Sequence, residues 1–112
     1  VENLLAETLE TLTRNGKSPA DVRWVGSTTD QYSKIPTHAA GSWDEFAALA
    51  DFKYDDGYGG NEIVSTLVIV GDDWWLERGE YDGSEWWEYK TLPKRAVASS
   101  PLRLSDLKDK RW

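Results

Sequence analysis

Two Trp-Trp doublets stand either side of an Asp-Gly dipeptide in DDWWLERGEYDGSEWWEYK, residues 72–90, and they constrain this chain more than any other feature. Asp-Gly between alternating segments is a strong signal for a two-residue hairpin turn, because both central positions must take positive φ. Side chains on a strand point alternately to opposite faces, so each doublet must put one indole on each side of the sheet. A two-residue turn at Asp82-Gly83 pairs Tyr81 with Ser84, Gly79 with Trp86, Arg78 with Trp87 and Leu76 with Tyr89. One face then carries Trp74, Leu76, Trp87 and Tyr89, with Arg78 placed for a cation–π contact, and this face is expected to be core. The other face carries Trp75, Glu77, Tyr81, Trp86, Glu88 and Lys90.

The rest of the pattern supports an α+β domain. Residues 2–15 are expected to form an amphipathic helix with Leu5, Leu9 and Leu12 at i, i+4 and i+7 and Leu4 widening the stripe, stopped at Asn15-Gly16. Residues 21–26 form a short strand candidate with Val22 and Trp24 on one face. Residues 27–41 have no clear period, and a short strand near Tyr32 to Ile35 would account for their length. Ser42 and Glu45 make a capping box for a second helix over 43–51, with Trp43, Phe46, Ala47 and Ala50 facing inward. Residues 52–62 are a glycine-rich acidic turn. IVSTLVIV, residues 63–70, is apolar on both faces toward its end and so is expected to be a central strand. Strands over 74–81 and 85–92 complete an antiparallel meander of about four strands, with both helices packed on one face. The 112 residues make a single domain over 1–112, with 93–112 a loosely packed basic tail in which Ser105 caps a short helix over 106–111.

Charge is unevenly distributed. Residues 51–90 hold eleven acids against three bases, whereas residues 91–112 hold six bases against two acids. So acidic a centre repels phosphate backbones and argues against direct nucleic-acid binding. There is no Cys, hence no disulfide framework and no thiolate chemistry. No apolar run approaches the length of a membrane span or a secretory leader, and a cytoplasmic location without membrane contact is expected.

Chemical motifs are sparse. His38, the single histidine, has no triad or metal-ligand pattern around it. Aligning Gly57 with the invariant glycine of an EF-hand loop puts Phe52 and Ile63 at the first and last ligand positions, so that motif fails. Gly57, Gly59 and Gly60 do not have phosphate-loop spacing. Glu77 opposite Glu88 resembles the start of an acid–base pair, but nothing completes a site. No catalytic residue, metal ligand or cofactor is therefore expected. The outward residues Trp75, Tyr81, Trp86, Glu77 and Glu88, with Asp55, Asp56 and Tyr58 of the acidic turn, form instead a candidate partner-binding surface: aromatic anchors within a charged rim, suited to a basic protein surface. Two readings compete with it. In one, the outer indoles are covered by residues 27–41 or by the tail; in the other, the same aromatics and carboxylates serve a small ligand or glycan, with or without hydrolysis.

The residues that carry a family resemblance are YDDGYG, the apolar strand and WWLERGEYDGSEWW, within the run Trp43 to Leu92. In these the chain resembles small uncharacterised proteins encoded by phages and prophages of Gram-positive bacteria. The resemblance covers a little under half of the chain and brings no established activity with it. It implies a context: an accessory protein or inhibitor acting on a host protein in the bacterial cytoplasm. Some such inhibitors act on nucleic-acid enzymes by imitating the charge of DNA, which makes an enzyme of that kind one candidate target.

Overall fold

In a computed structural model, residues 2–27, 40–55, 57, 62–94 and 101–108 are described. The chain enters through strand β1 (Glu2–Asn3) directly into helix α1 (Leu4–Arg14). Asn3 caps the helix, its side-chain oxygen accepting from the backbone N–H of Ala6 at 3.0 Å. The helix ends as its Asn-Gly pair predicts. Gly16 takes φ +71°, its N–H reaches the carbonyl of Thr13, and the N–H of Lys17 reaches that of Leu12 at 2.8 Å, a complete Schellman closure.

A 3₁₀ turn (Pro19–Asp21) leads into β2 (Trp24–Ser27). Then come β3 (Ala40–Gly41), α2 (Trp43–Ala50), β4 (Lys53–Tyr54), β5 (Leu67–Val70), β6 (Trp74–Tyr81), β7 (Ser84–Thr91) and a single helical turn, α3 (Leu104–Leu107). Ser42 and Glu45 close the expected capping box at the start of α2. A five-stranded antiparallel sheet runs in the order β3-β2-β5-β6-β7, and β1 pairs separately with β4. The fold is thus α+β, with β5 in the sheet's interior as its apolar character requires. The three two-residue strands, β1, β3 and β4, are too short to leave a period in the sequence.

Leu4, Leu12, Val25, Ala50, Tyr54, Ile63, Ile69, Trp74, Leu76 and Trp87 form the core between the helices and one face of the sheet. In the hairpin every pairing follows a two-residue turn: Tyr81 with Ser84, Gly79 with Trp86, Arg78 with Trp87, Leu76 with Tyr89. Asp82 and Gly83 both have positive φ, at 51° and 85°, as a type I′ turn demands.

Four local expectations are corrected. The helix α1 buries Leu4, Thr8, Thr11 and Leu12, while Leu9 is exposed. Its sheet-facing stripe is half polar, because the Thr8 hydroxyl donates to the carbonyl of Leu4 and accepts from the indole N–H of Trp87. The strand begun at residue 63 starts only at Leu67, since Ile63 leaves the sheet to enter the core and Leu67 N–H turns back to the carbonyl of Val64. Val22 and Trp24 do not share a face: Val22 lies before the strand and packs on the core, and Trp24 lies 37% exposed. In the tail, Ser105 lies inside the helical turn and Arg103 stands at its start. Residues 101–108 are all exposed. The proposed strand at Tyr32 to Ile35 falls outside the described residues.

Gly71 ends β5 with the Trp74 indole lying directly over its Cα, so a methyl group there would overlap the ring. Gly71→Ala is expected to cost about 1–3 kcal/mol as an overpacked site. That is a fall in melting temperature of at least ~4 °C. An unchanged midpoint would show that the Trp74 ring is free to move aside.

Candidate functional site

The hairpin separates two polar constellations. On its inner face the Arg78 side chain is only 2% exposed, and Glu85, at 1%, is more buried still. Arg78 Nη1 donates to Glu7 Oε1 at 3.0 Å; Nη2 donates to Tyr54 Oη at 3.1 Å and to Glu85 Oε1 at 3.2 Å. The Tyr54 hydroxyl donates in turn to the Glu7 carboxylate at 2.7 Å. Glu85 also accepts the backbone N–H groups of Glu62 and Ile63, at 2.8 and 3.2 Å, and so draws that segment onto the hairpin. The guanidinium carbon lies 4.6 Å from the Trp87 ring centroid, which is the cation–π contact expected from the pairing. Among the described residues, Nε of Arg78 has no acceptor.

Burial works against the charge on Arg78, but its bonds to Tyr54 and Glu7 outweigh that and hold its pKa above the ordinary arginine value. Burial likewise raises Tyr54; the Arg78 bond opposes the shift and the Glu7 carboxylate adds to it, leaving the phenol well above its usual range. This cluster ties α1, β4, the segment at residues 62–63 and the hairpin to one another.

The outer face is organised differently. Across four strands one row reads Trp24, Val70, Trp75, Lys90, and the next Gly26, Val68, Glu77, Glu88. Trp86 pairs with Gly79 in the row beyond, and its indole lies over the glycine, where a Cβ would stand 2.6 Å from its Nε1. The absent side chain therefore makes room for the ring. The Trp75 indole donates to Glu77 Oε1 at 2.8 Å and the Trp86 indole to Glu88 Oε1 at 3.2 Å. Lys90 reaches the other oxygen of Glu88 at 3.4 Å. Among the described residues no cation lies within 4 Å of Glu77. Trp86 is 37% exposed and Tyr81 76%. Trp75 is half-buried, because it forms a wall of a groove of about 310 Å³ with Trp24, Val68, Val70, Ser65, Thr66 and Glu77.

The fold thus brings Trp75, Glu77, Trp86 and Glu88 together on one surface, with Tyr81 at the hairpin end. Asp55 is not part of it. Its backbone N–H donates to Glu62 Oε2 and its carboxylate accepts from Gly57 N–H, which ties it to the segment held by Glu85. Asp56 and Tyr58 lie outside the described residues, as does His38. Trp24 is the site residue that sequence reasoning missed. Alternation in its own strand marks it as facing away from Val25, but only the pairing of β2 with β5 sets it beside Trp75.

Among the described residues, no three His, Cys, Asp or Glu side chains gather as a metal site would require, and no helix is long and apolar enough to cross a membrane. Comparison with protein-family models, curated proteins and solved structures gives no match to this chain.

Two outcomes follow from the inner cluster. Arg78→Met leaves two inner-face carboxylates without their cation and is expected to cost about 3–5 kcal/mol in urea denaturation. A loss below about 1 kcal/mol would mean that the cluster is not holding the hairpin to α1. The raised pKa of Tyr54 favours the neutral phenol in the folded state. Its contribution is complete below the ordinary tyrosine pKa of about 10 and is lost as pH climbs from there through the raised folded value. Denaturation midpoints measured across that alkaline range should fall for the wild type and fall less for Tyr54→Phe; parallel slopes would remove Tyr54 as the cause.

Proposed function

We propose that this chain is a non-enzymatic protein-binding module whose outer sheet face engages a basic surface on a partner protein. The observation that carries the reading is the Glu77–Glu88 pair. Like charges directly opposite each other on neighbouring strands destabilise a sheet. Here two such carboxylates sit opposite each other on the β6–β7 hairpin, each accepting from an indole on the same face. Charge needed only for solubility has no reason to be placed where it repels its neighbour and pins an exposed tryptophan. An arriving cation relieves the repulsion, and the indoles supply the anchoring area.

The partner in this reading is a host protein with a basic surface, and nucleic-acid enzymes are one class that has one. The setting is the bacterial cytoplasm, in keeping with the resemblance to phage-encoded accessory proteins. The reading does not depend on imitation of DNA. Of the acids in residues 72–90, Glu85 is consumed internally, Asp72 is held by Arg23 at 2.8 Å and Glu88 is shared with Lys90. Asp73, Glu77, Glu80 and Asp82 remain, and of these Glu77 stands among the aromatic residues of the outer face.

Retention of a basic protein from a Gram-positive lysate, lost in the Trp75→Ala/Trp86→Ala double variant and weakened by salt, is the expected result. Retention that survives both changes, or a response of tryptophan fluorescence to neutral sugars instead, would overturn it. Glu77→Gln separates function from stability. It removes the like-charge pair and keeps an oxygen for the Trp75 indole, so it should hold or raise folding stability, by up to ~1 kcal/mol, while weakening partner binding. A variant that is both less stable and fully competent to bind would refute the assignment.

A further inference from the structure

The groove between β2, β5 and β6 deepens this reading and rests on it. Its floor is Val68 and Val70, its walls are Trp24 and Trp75, and Glu77 stands at one end. Trp24 and Trp75 both pair with Val70, one from each side, so their backbones are two strand spacings apart. Two spacings amount to roughly 9.5 Å. A planar group touching an indole on each face needs ring planes about 7–8 Å apart, two contacts of about 3.5–4.0 Å each. The volume, about 310 Å³, is at the lower end of ligand sites and suits one long side chain.

The electrostatics select among side chains. The Trp75 indole holds Glu77 by Oε1, and Oε2 has no hydrogen-bond partner among the described residues. The chain's own nearby cation, Lys90, is engaged with Glu88. Two aromatic walls for a methylene stem and a carboxylate whose second oxygen has no partner among the described residues match a guanidinium better than an ammonium. A guanidinium is planar, stacks on indoles and sheds water more readily. We infer that this groove is a pocket for a single arginine side chain of the partner protein, sandwiched between Trp24 and Trp75 with its guanidinium on Glu77.

The test uses the full chain labelled with ¹⁵N and two short peptides: acetyl-Gly-Arg-Gly-amide and its citrulline counterpart, which keeps the shape and loses the charge. The arginine peptide should shift the indole N–H signals of Trp24 and Trp75 with a Kd on the order of 1 mM and leave that of Trp86 in place. The citrulline peptide should shift neither. Glu77→Gln should weaken the response at least about tenfold with the rest of the spectrum retained, and Trp24→Leu should do the same. No response to arginine, an equal response to citrulline, or full binding by Glu77→Gln overturns the pocket. If Trp24→Leu and Glu77→Gln leave capture of a partner protein intact while Trp86→Ala abolishes it, the pocket fails and the outer-face module stands. If arginine binds as described but no variant of the outer face affects any partner, the pocket stands and the module reading fails.

Discussion

The Arg78 guanidinium is the contact on which the rest of the molecule depends. It receives Glu7 from α1, Tyr54 from β4 and Glu85 and Trp87 from β7, and through Glu85 it draws in the backbone of residues 62 and 63. A buried ion cluster of this kind adds little net stability, since desolvation offsets most of the Coulomb gain, but removing one partner leaves an uncompensated buried charge at high cost. Any other seating of α1 on the sheet would leave a desolvated carboxylate or guanidinium unpaired. The apolar core supplies the driving force for collapse, and Arg78 selects one geometry from those the core alone would tolerate.

That selection has a consequence on the opposite face. With Arg78 and Trp87 committed inward, strand alternation turns Glu77, Glu88, Trp75 and Trp86 outward on the same two strands. The inner and outer charges are chemically alike and physically opposite. Inside, carboxylates meet a guanidinium of the chain; outside, they meet indole N–H groups and, at Glu88 alone, a lysine. Among the described residues, the outer face gives Glu77 an indole N–H but no cation to match the one that Glu85 has inside. An arginine from another protein would reproduce outside much of what Arg78 makes inside.

Much of this was legible beforehand because it is local. Asp82-Gly83 dictated the turn, the turn dictated register, and register put Trp86 over Gly79 and Arg78 beside Trp87. Ser42 with Glu45, and Asn15 with Gly16, marked helix ends through contacts only a few residues long. Contacts far apart in sequence left no such trace. Leu9 looked more like core than Thr8, and only the Trp87 indole 79 residues away makes burial of that hydroxyl possible. Asp55 looked like part of the acidic rim until Glu62 and Glu85 drew its segment elsewhere.

By itself the sequence determined that four indoles divide evenly between two faces of a hairpin, because side-chain alternation and a two-residue turn depend only on backbone geometry. It could not determine which carboxylates would be satisfied internally, since acids at strand positions look the same whether a cation awaits them or not. The tertiary structure decided that Glu85 belongs to the interior and Glu77 does not. It also brought Trp24 from a distant strand to the groove where Glu77 stands. The reason lies in the β2–β5 pairing and the docking of α1. Both join residues forty or more positions apart, and both depend on the fit of whole surfaces rather than on any one residue's preference.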